Sequence, residues 1–310
     1  MSPNSGSIEG TSFYGILAFT NATITNNAVA SIKGGWYGVN ALNGFANVTN
    51  SGSIEGGGVT GIVGITDATV TNNAGASITG GQHGIRVLNG FATVTNSGSI
   101  IGTSSYGVLA DTNAATVTNN AGASITGGLY GIYAGAGASS VFNAGTISGG
   151  TAAIQFAGIG NTLTLAPGSV ITGNVLGTGN DTFQLGGTGS ATFDVTQIGV
   201  AAQYRGFGIF NKIGSSAWTL TGTSTFAGPI NVNGGTLSVN GDITSASAVA
   251  VNAGGTLGGN AVVGSTTVNA GGALAPGNSI GLLTVQGNSV SRRRRATWLK
   301  SRPPPPTAPM

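Results

Sequence analysis

Residues 73–95, NAGASITGGQHGIRVLNGFATVT, contain the unit that the first half of the chain repeats. The unit starts with Asn, and short β-prone pieces follow around Ser-Ile, Gly-Ile and Thr-Val-Thr, separated by Gly and Asn. Thr, Val and Ile favour strands, whereas Gly and Asn favour turns. The unit therefore predicts three short strands joined by three turns.

The same unit recurs at a step of 23 residues, with one step of 24. An Asn and a central Gly mark the series, and the residue after each Gly is Ile or Val. The positions are Asn4, Asn27, Asn50, Asn73, Asn96, Asn120 and Asn143, with Gly15, Gly38, Gly61, Gly84, Gly107 and Gly131. Residues 4–49 also align with residues 50–95 without a gap and share 29 of 46 positions, so the longer unit is a 46-residue doublet.

Three short strands per unit of this length are typical of one coil of a parallel β-helix. Alternation within each strand points Ile or Val inward and Thr or Ser outward. We therefore predict an all-β parallel β-helix (β-solenoid) with about 23 residues per coil and about 12 coils, stacked about 4.8 Å apart. One core column should contain Ile8, Ile32, Ile54, Ile78, Ile100, Ile125 and Ile147. The Asn series should form a second column, in which each amide bonds to its equivalent in the next coil.

Composition excludes several classes of function. The 310 residues include 58 Gly, 5% charged residues and no Cys, which excludes disulfides, thiolate zinc sites and a Cys nucleophile. The chain has no run of 18 apolar residues, so no transmembrane helix is expected. The net charge of +3 comes from residues 292–310, which hold six of the ten Lys and Arg residues. Because the body of the chain is acidic, we expect no nucleic-acid partner.

The repeat changes character along the chain. Residues 1–176 contain the 23-residue repeats, and residues 177–229 are a less regular β segment that we interpret as a bridge. Residues 230–288 contain a second repeat, in which an Asn-x-Gly-Gly corner joins two strands, as in INVNGGTLSVNG and VAVNAGGTLGGN. Residues 289–310 contain four consecutive Arg, four consecutive Pro and no Gly, which predicts a disordered tail.

The second repeat resembles the autotransporter-associated β-strand repeat of type V secreted bacterial proteins. The resemblance covers about residues 160–288 and is most specific at 266–288, which contain Leu-Ala-Pro-Gly-Asn-Ser-Ile-Gly. It implies a right-handed β-helix passenger at the cell surface or outside the cell, carried there by an outer-membrane β-barrel translocator. We find neither that translocator nor a signal peptide in the chain, which argues against export of the chain as it stands. We interpret the chain as truncated before the barrel, and residues 289–310 as the product of a shifted reading frame.

The carboxylates are candidates for catalytic chemistry, and they are Glu9, Glu55, Asp67, Asp111, Asp181, Asp194 and Asp242. A glycosidase needs two carboxylates close together, whereas these are scattered singly. Glu9 and Glu55 are equivalent positions, and Ile101 replaces them in the next doublet. Asp181, in Gly-Thr-Gly-Asn-Asp-Thr-Phe, resembles one calcium-binding nonapeptide, but such sites need tandem copies. We therefore interpret Asp181 as a turn residue and predict no catalytic residue, metal or other cofactor.

Aromatic residues recur at one position of the unit. His83, the single His, occupies that position in its own unit, where other units hold Tyr14, Tyr37, Tyr106 and Tyr130. We predict a surface or stacking position for His83, without a catalytic or metal-binding role. With Phe13 and Trp36 beside it, the series predicts an aromatic stripe that is either structural or binds carbohydrate or a host surface. Arg292–Arg295 resembles a nucleic-acid patch, but no aromatic residues interleave it.

We therefore predict a non-catalytic β-helical passenger, stalk-like or adhesin-like, presented at the cell surface as a monomer. Its expected partners are host or matrix glycans or proteins. The alternative is a carbohydrate-active enzyme, a polysaccharide lyase or hydrolase, because such enzymes also use β-helices. An enzyme would interrupt its repeat at one place, where charged residues cluster on neighbouring coils.

Overall fold

The computed structural model describes residues 3–277 and 281–291. Within these residues, regular structure consists of β-strands and one 3-10 turn at Val195–Gln197. No helix in this part of the chain has the length and apolar character needed to cross a membrane. Residues 292–310, in which the sequence predicts most of the Arg/Pro tail, lie outside the described residues.

The chain divides into two compact units, Met1–Gly187 with Gln197–Ile209, and Thr188–Thr196 with Phe210–Met310. The strands before residue 188 are β1 (Ser7–Gly10), β2 (Tyr14–Ala18), β3 (Ala22–Asn26), β4 (Ser31–Gly34), β5 (Tyr37–Ala41), β6 (Ala46–Asn50), β7 (Ser53–Gly56), β8 (Thr60–Gly64), β9 (Ala68–Asn72), β10 (Ser77–Gly80), β11 (His83–Val87), β12 (Ala92–Asn96), β13 (Ser99–Gly102), β14 (Tyr106–Ala110), β15 (Ala115–Asn119), β16 (Ser124–Gly127), β17 (Tyr130–Ala134), β18 (Ser140–Asn143), β19 (Thr146–Gly149), β20 (Ala152–Phe156), β21 (Thr162–Leu165), β22 (Val170–Thr172) and β23 (Val175–Leu185). The strands after it are β24 (Ser190–Asp194), β25 (Tyr204–Lys212), β26 (Ala217–Thr221), β27 (Ile230–Val232), β28 (Gly235–Val239), β29 (Asp242–Ile243), β30 (Val249–Val251), β31 (Gly255–Gly259), β32 (Val262–Val263), β33 (Thr266–Val268), β34 (Ala273–Pro276), β35 (Thr284–Val285) and β36 (Ser289–Ser291).

Each coil of the first unit contributes three strands, and each strand pairs in parallel with its equivalents one coil away. Strand β10 pairs with β7 and β13, which places Ile78 between Ile54 and Ile100. The first strands of successive coils form one sheet in the order β1-β4-β7-β10-β13-β16-β19-β22. The predicted all-β parallel solenoid, with about 12 turns at a repeat of about 23 residues, is confirmed.

The predicted Ile column forms the centre of the first unit. Its inner members are each at most 1% exposed, namely Ile32, Ile54, Ile78, Ile100, Ile125 and Ile147. Ile8 belongs to the first coil and is only partly covered. Full burial of one such side chain contributes about 1.5–3 kcal/mol, so stability accumulates coil by coil through contacts between neighbours.

The Asn column exists, but its predicted register is wrong in alternate coils. The ladder runs through Asn4, Asn26, Asn50, Asn72, Asn96, Asn119 and Asn143, of which all but Asn4 are fully buried. The Nδ2 of each of the first six donates to the Oδ1 of the next at 2.8–2.9 Å. Asn27, Asn73 and Asn120, which the sequence assigned to the column, lie one position later in the turn and donate to Ser hydroxyls. Strand alternation explains the correction, because the inward Ile or Val two positions earlier places the first Asn of each Asn-Asn pair toward the core.

The Gly column marks a close approach between the second strand of one coil and the first and second strands of the next coil. A methyl group on Gly84 would lie 2.6 Å from the carbonyl oxygen of Gly107 and 2.7 Å from Cγ2 of Ile100. Gly38, Gly61 and the other internal members of the series meet equivalent atoms in the next coil. The absence of a side chain therefore allows the second strand to pass close to the Ile column.

The second unit contains its own stacked coils. Strands β26, β28, β31 and β34 stack Trp218, Leu237, Leu257 and Leu274 in one column. The predicted Asn-x-Gly-Gly corners also stack, because Asn252 and Asn269 each donate from Nδ2 to the preceding corner Asn at 2.6 Å. Strand β36 pairs with β33, so regular structure continues through residue 291, inside the segment in which the sequence predicts a disordered tail.

Candidate functional site

Two of the candidate carboxylates share an outward column with a cation. Glu9, Lys33 and Glu55 occupy equivalent positions in β1, β4 and β7. The two carboxylates are therefore about 10 Å apart along the column, with Lys33 between them. Lys33 Nζ lies 3.4 Å from Glu55 Oε1, and both side chains are about half exposed. Such an exposed pair contributes little to stability.

Other carboxylates hold turns of the backbone. Asp67 Oδ1 accepts a hydrogen bond from the backbone N–H of Phe91 at 2.8 Å. Asp242 accepts from both the backbone N–H and the hydroxyl of Thr244, and these bonds lower the pKa of the Asp242 carboxyl below its ordinary value. Asp194 has the same two bonds from Thr196. The carboxylates at these positions thus satisfy local donors.

Asp181 is a buried strand residue, so its interpretation as a turn residue is wrong. It lies within β23, and its side chain is fully buried. Oδ1 accepts from the backbone N–H and Nδ2 of Asn161 at 2.8 and 2.9 Å, and Oδ2 accepts from the backbone N–H of Thr178 at 2.9 Å. Its acceptors are therefore occupied by protein donors. Residues 3–277 and 281–291 contain no group of three or more His, Asp and Glu residues that could hold a metal ion.

The predicted aromatic series is a stack of rings on the outer face of the first unit. Tyr14 and Tyr37 stack with ring centroids 5.4 Å apart, and Tyr106 and Tyr130 stack at the same distance. His83 lies 5.3 Å from Tyr106, which confirms the predicted stacking position. His83 is nonetheless 7% exposed, so it lies well below the surface. Trp36 and Phe13 are about half exposed and contact each other beside the first two Tyr residues.

The aromatic stack is interrupted at one coil. Thr60 lies in register between Tyr37 in β5 and His83 in β11, at a position that holds an aromatic residue in both neighbouring coils. A cleft of about 220 Å³ lies beside this interruption. The residues that line the cleft are Tyr14, Tyr37, Asn40, Leu42, Thr60, Val63, Ile65, Arg86 and Leu88.

Three buried polar atoms at this interruption have no hydrogen-bond partner among the described residues. They are Asn40 Oδ1, Thr60 Oγ1 and His83 Nδ1. The side chains concerned are 6%, 0% and 7% exposed, respectively. Buried polar atoms are satisfied in the large majority of cases, so three orphan atoms in adjacent coils are an unusual concentration. Asn40 and Thr60 both line the cleft.

The charges around the cleft are balanced. Arg86 donates from Nε and Nη2 to Asp111 Oδ2 at 3.0 and 2.7 Å. Burial, and secondly the positive charge of Arg86, lower the pKa of His83 from 6.5 to about 4, while Asp111 acts in the opposite direction. His83 is therefore neutral at neutral pH, and the cleft carries no net charge.

Sequence reasoning placed His83 in the Tyr series but missed the interruption next to it. Thr60 lies 23 residues after Tyr37 and 23 before His83, so the alignment of the units contained the signal. Sequence reasoning also missed the ion pair of Arg86 with Asp111, because Arg86 is in register with Leu109 and not with Asp111. The depth of the cleft depends on side-chain packing, which the repeat does not specify.

One segment of the second unit matches a known family. Residues 210–239 match the sequence model of the passenger-associated-transport-repeat. The match spans β26, β27 and β28 and begins at Phe210, within β25. No curated protein and no solved structure gave a significant match to the chain. A passenger-associated repeat within a parallel β-solenoid fits the repeat region of an autotransporter passenger, a family associated with the cell surface or the extracellular space.

Proposed function

We propose that the chain is a non-catalytic passenger region, presented at the cell surface, that acts as a stalk or an adhesin toward host or matrix glycans or proteins. The observation that carries this proposal is the passenger-associated-transport-repeat at residues 210–239, in a chain whose strands form stacked parallel coils. Repetitive coils suit a stalk, because each coil contacts only its neighbours and the array grows by addition of units.

The placement of the carboxylates supports the non-catalytic part of the proposal. Asp67, Asp194 and Asp242 accept bonds from nearby backbone N–H groups. Asp111 forms an ion pair with Arg86. Asp181 is buried and accepts a hydrogen bond from the backbone N–H of Asn161. Glu9 and Glu55 remain outward-facing and have Lys33 between them. The common mechanism of glycoside hydrolysis uses two carboxylates that flank one bond of the substrate.

Surface presentation is tested by fusing the full chain between a secretion signal and an outer-membrane autotransporter translocator in a Gram-negative host. Antibody labelling and protease treatment of intact cells should detect the chain outside. A deletion of residues 210–239 should reduce the surface signal, whereas a deletion of the doublet 50–95 should leave it unchanged. Retention of the chain inside the cell, with a known passenger exported in parallel, would contradict the proposal.

The non-catalytic role is tested separately with purified chain. Incubation with pectin, alginate and xylan should release no new reducing ends and no unsaturated products absorbing in the ultraviolet. Product release that disappears in Glu55→Gln would instead establish the carbohydrate-active alternative.

A further inference from the structure

The third strands of the coils in the first unit carry a regular outer surface, separate from the aromatic stack and from the carboxylates. In β3, β6, β9, β12 and β15 the pattern is Ala-x-Ile/Val-x-Asn, and the two variable positions of each strand point outward. We call these outward side chains the Thr grid, because nine of the ten are Thr and one is Asn. They are Thr23, Thr25, Asn47, Thr49, Thr69, Thr71, Thr93, Thr95, Thr116 and Thr118.

The Thr grid repeats in two directions. Thr93 pairs with Thr69 on one side and with Thr116 on the other, and the second column has the same register. Neighbours within a column are therefore about 4.8 Å apart, and the two outward residues of one strand are about 6.6 Å apart. The result is a rectangular lattice of side chains with two columns and five rows.

The residues below and beside the Thr grid hold the lattice in place. The inward Ala, Ile and Val residues of the same strands are at most 5% exposed. The last residue of each strand belongs to the Asn ladder, whose amides join each coil to the next at 2.8–2.9 Å. Side-chain ladders of this kind stabilise sheets with little twist. The side chains of the grid are also stiff, because Thr is branched at Cβ.

The Thr grid is exposed, uncharged and free to bond outward. Eight of its ten side chains are exposed, and Thr71 and Thr118 are partly exposed. Within the described residues, no hydrogen bond joins its hydroxyls to another group of the protein. A Thr hydroxyl both donates and accepts, so the grid offers both functions at each Thr position.

Strand propensity alone does not account for this uniformity. Thr is favoured in strands, yet the outward columns of the other two strands in the same coils are mixed. The column of the first strands contains Glu9, Lys33, Glu55, Thr79 and Ile101. The column of the second strands contains Leu17, Asn40, Val63, Arg86 and Leu109. The third strands therefore keep a regular surface that strand formation does not require.

The lattice restricts the chemistry of its partner. A partner that contacts the whole grid must be neutral, must both donate and accept hydrogen bonds, and must repeat at both spacings of the grid. A crystalline glycan packs its sugar rings best on aromatic side chains, and the Thr grid contains none. In contrast, the oxygen atoms on the prism face of hexagonal ice form a rectangular lattice with similar spacings, and each water molecule donates and accepts.

We propose that the Thr grid binds the prism face of ice. The hydroxyls bond to water molecules of the crystal, and the methyl groups lie between them. Because the side chains are stiff and already spaced, little conformational entropy is lost on binding. This binding role goes beyond the proposed function and does not rest on it.

The test variants change the Thr grid without changing the core. Thr71→Tyr places a ring in the middle of one column, where it stands above the lattice. The same column continues with Phe142 after Thr118, and Tyr favours strands, so the variant should fold. Thr93→Tyr makes the same change in the other column. Thr79→Tyr is the matched control, because it adds the same ring at a partly exposed position of the next strand, β10, on another face.

Ice binding is measured as thermal hysteresis, the gap between the melting and freezing temperatures of a single ice crystal, in solutions of the purified full chain. The unaltered chain and Thr79→Tyr should show equal gaps and should produce crystals with flat prism faces. Thr71→Tyr and Thr93→Tyr should lose most of the gap, because a protruding ring separates two rigid surfaces. Circular dichroism checks the folding of each variant, and either folded grid variant is sufficient for the comparison.

Three results would overturn the proposal. They are no thermal hysteresis with the unaltered chain, equal hysteresis in the grid variants and Thr79→Tyr, and retention of the chain on crystalline cellulose or chitin without hysteresis. The last result would assign the grid to a glycan if Thr71→Tyr abolished the retention. Because these measurements use purified protein, failure of surface presentation contradicts the proposed function alone, and failure of ice binding contradicts the Thr grid alone.

Discussion

Adjacent Asn residues in this chain have different physical roles. Asn72 is fully buried and is bonded on both sides within the ladder, accepting from Asn50 and donating to Asn96. Asn73, the next residue, is partly exposed and donates to the Ser51 hydroxyl in the turn. The difference arises because side chains alternate between the two faces of a strand.

Replacement of the two Asn residues should separate these roles. Asn72→Ala should lower the free energy of unfolding by about 3 kcal/mol, because it removes the hydrogen bonds that join this fully buried side chain to Asn50, Asn96 and the Ser99 carbonyl. Asn73→Ala should cost no more than about 1 kcal/mol, since only one hydrogen bond near the surface is lost. Urea titrations followed by circular dichroism measure both values. Equal losses for the two variants would contradict the ladder assignment.

His83 should make stability depend on pH in a defined window. Its pKa is lowered from 6.5 to about 4 by burial and by Arg86, and Tyr106 and Asp111 are its other titratable neighbours. Between these values the unfolded chain binds a proton that the folded chain does not, so stability falls as pH decreases from 6.5 to 4. The loss attributable to His83 should reach about 3 kcal/mol at the lower limit.

The matched variant for this pH dependence is His83→Tyr, which installs the common residue of the column. Urea titrations from pH 7 to pH 4 should show a smaller decline in the free energy of unfolding for the variant, because Tyr does not take up a proton in this range. The carboxylates contribute similarly to the decline in both proteins. Parallel curves for the two proteins would show that His83 is not protected from protonation in the folded chain.

At the scale of the element, the fold could be predicted because the 23-residue period and the alternation of strand-forming and turn-forming residues both indicate a coil of three short strands. Ile78 and its equivalents were placed correctly from alternation alone, and the structure buries them. The Asn register was not predicted correctly, because the constant step of 23 residues selected the second Asn of each Asn-Asn pair, whereas the ladder contains the first. The alternation Val70-Thr71-Asn72 contained the information needed. The burial of Asp181 could not be predicted, because it depends on donors from Asn161 in the preceding coil.

The Gly column gives a prediction about how the strands of neighbouring coils meet. Gly84→Ala would place its methyl group 2.6 Å from the Gly107 oxygen, which is closer than a methyl and an oxygen can approach, so the strand must shift. We expect a loss of about 1–3 kcal/mol in the free energy of unfolding, as for other overpacked cores.

The matched control for the Gly column is Gly6→Ala, since a methyl group there meets no atom within 4 Å. Its expected effect lies within about 0.5 kcal/mol of zero. Urea titrations of both variants test the comparison. If Gly84→Ala were as harmless as Gly6→Ala, the close approach of the second strand would not constrain the sequence.

At the scale of the whole molecule, the 46-residue doublet is the sequence repeat whose addition or removal should change the length of the solenoid formed by residues before 188. Its two turns differ, because Ile54 follows the ladder residue Asn50 by four positions and Ile78 follows Asn72 by six. Deletion of residues 50–95 joins Thr49 to Asn96, which restores the four-position turn. It also places Tyr37 in register with Tyr106 and so removes the Thr60 cleft. In contrast, deletion of residues 50–72 joins Thr49 to Asn73, which leaves five positions before Ile78 and matches neither turn.

Deletion of the doublet should therefore preserve folding, whereas deletion of the single unit should not. Since each coil contacts only its neighbours, the chain without residues 50–95 should retain its β-type circular dichroism and a melting midpoint within about 5 °C of the full chain. In the chain without residues 50–72, Asn73 takes the ladder position but is followed by a turn of the wrong length, so this turn must distort and the chain should melt at a clearly lower temperature. Similar midpoints for the two deletions would mean that a single coil, rather than the doublet, is the interchangeable unit of this solenoid.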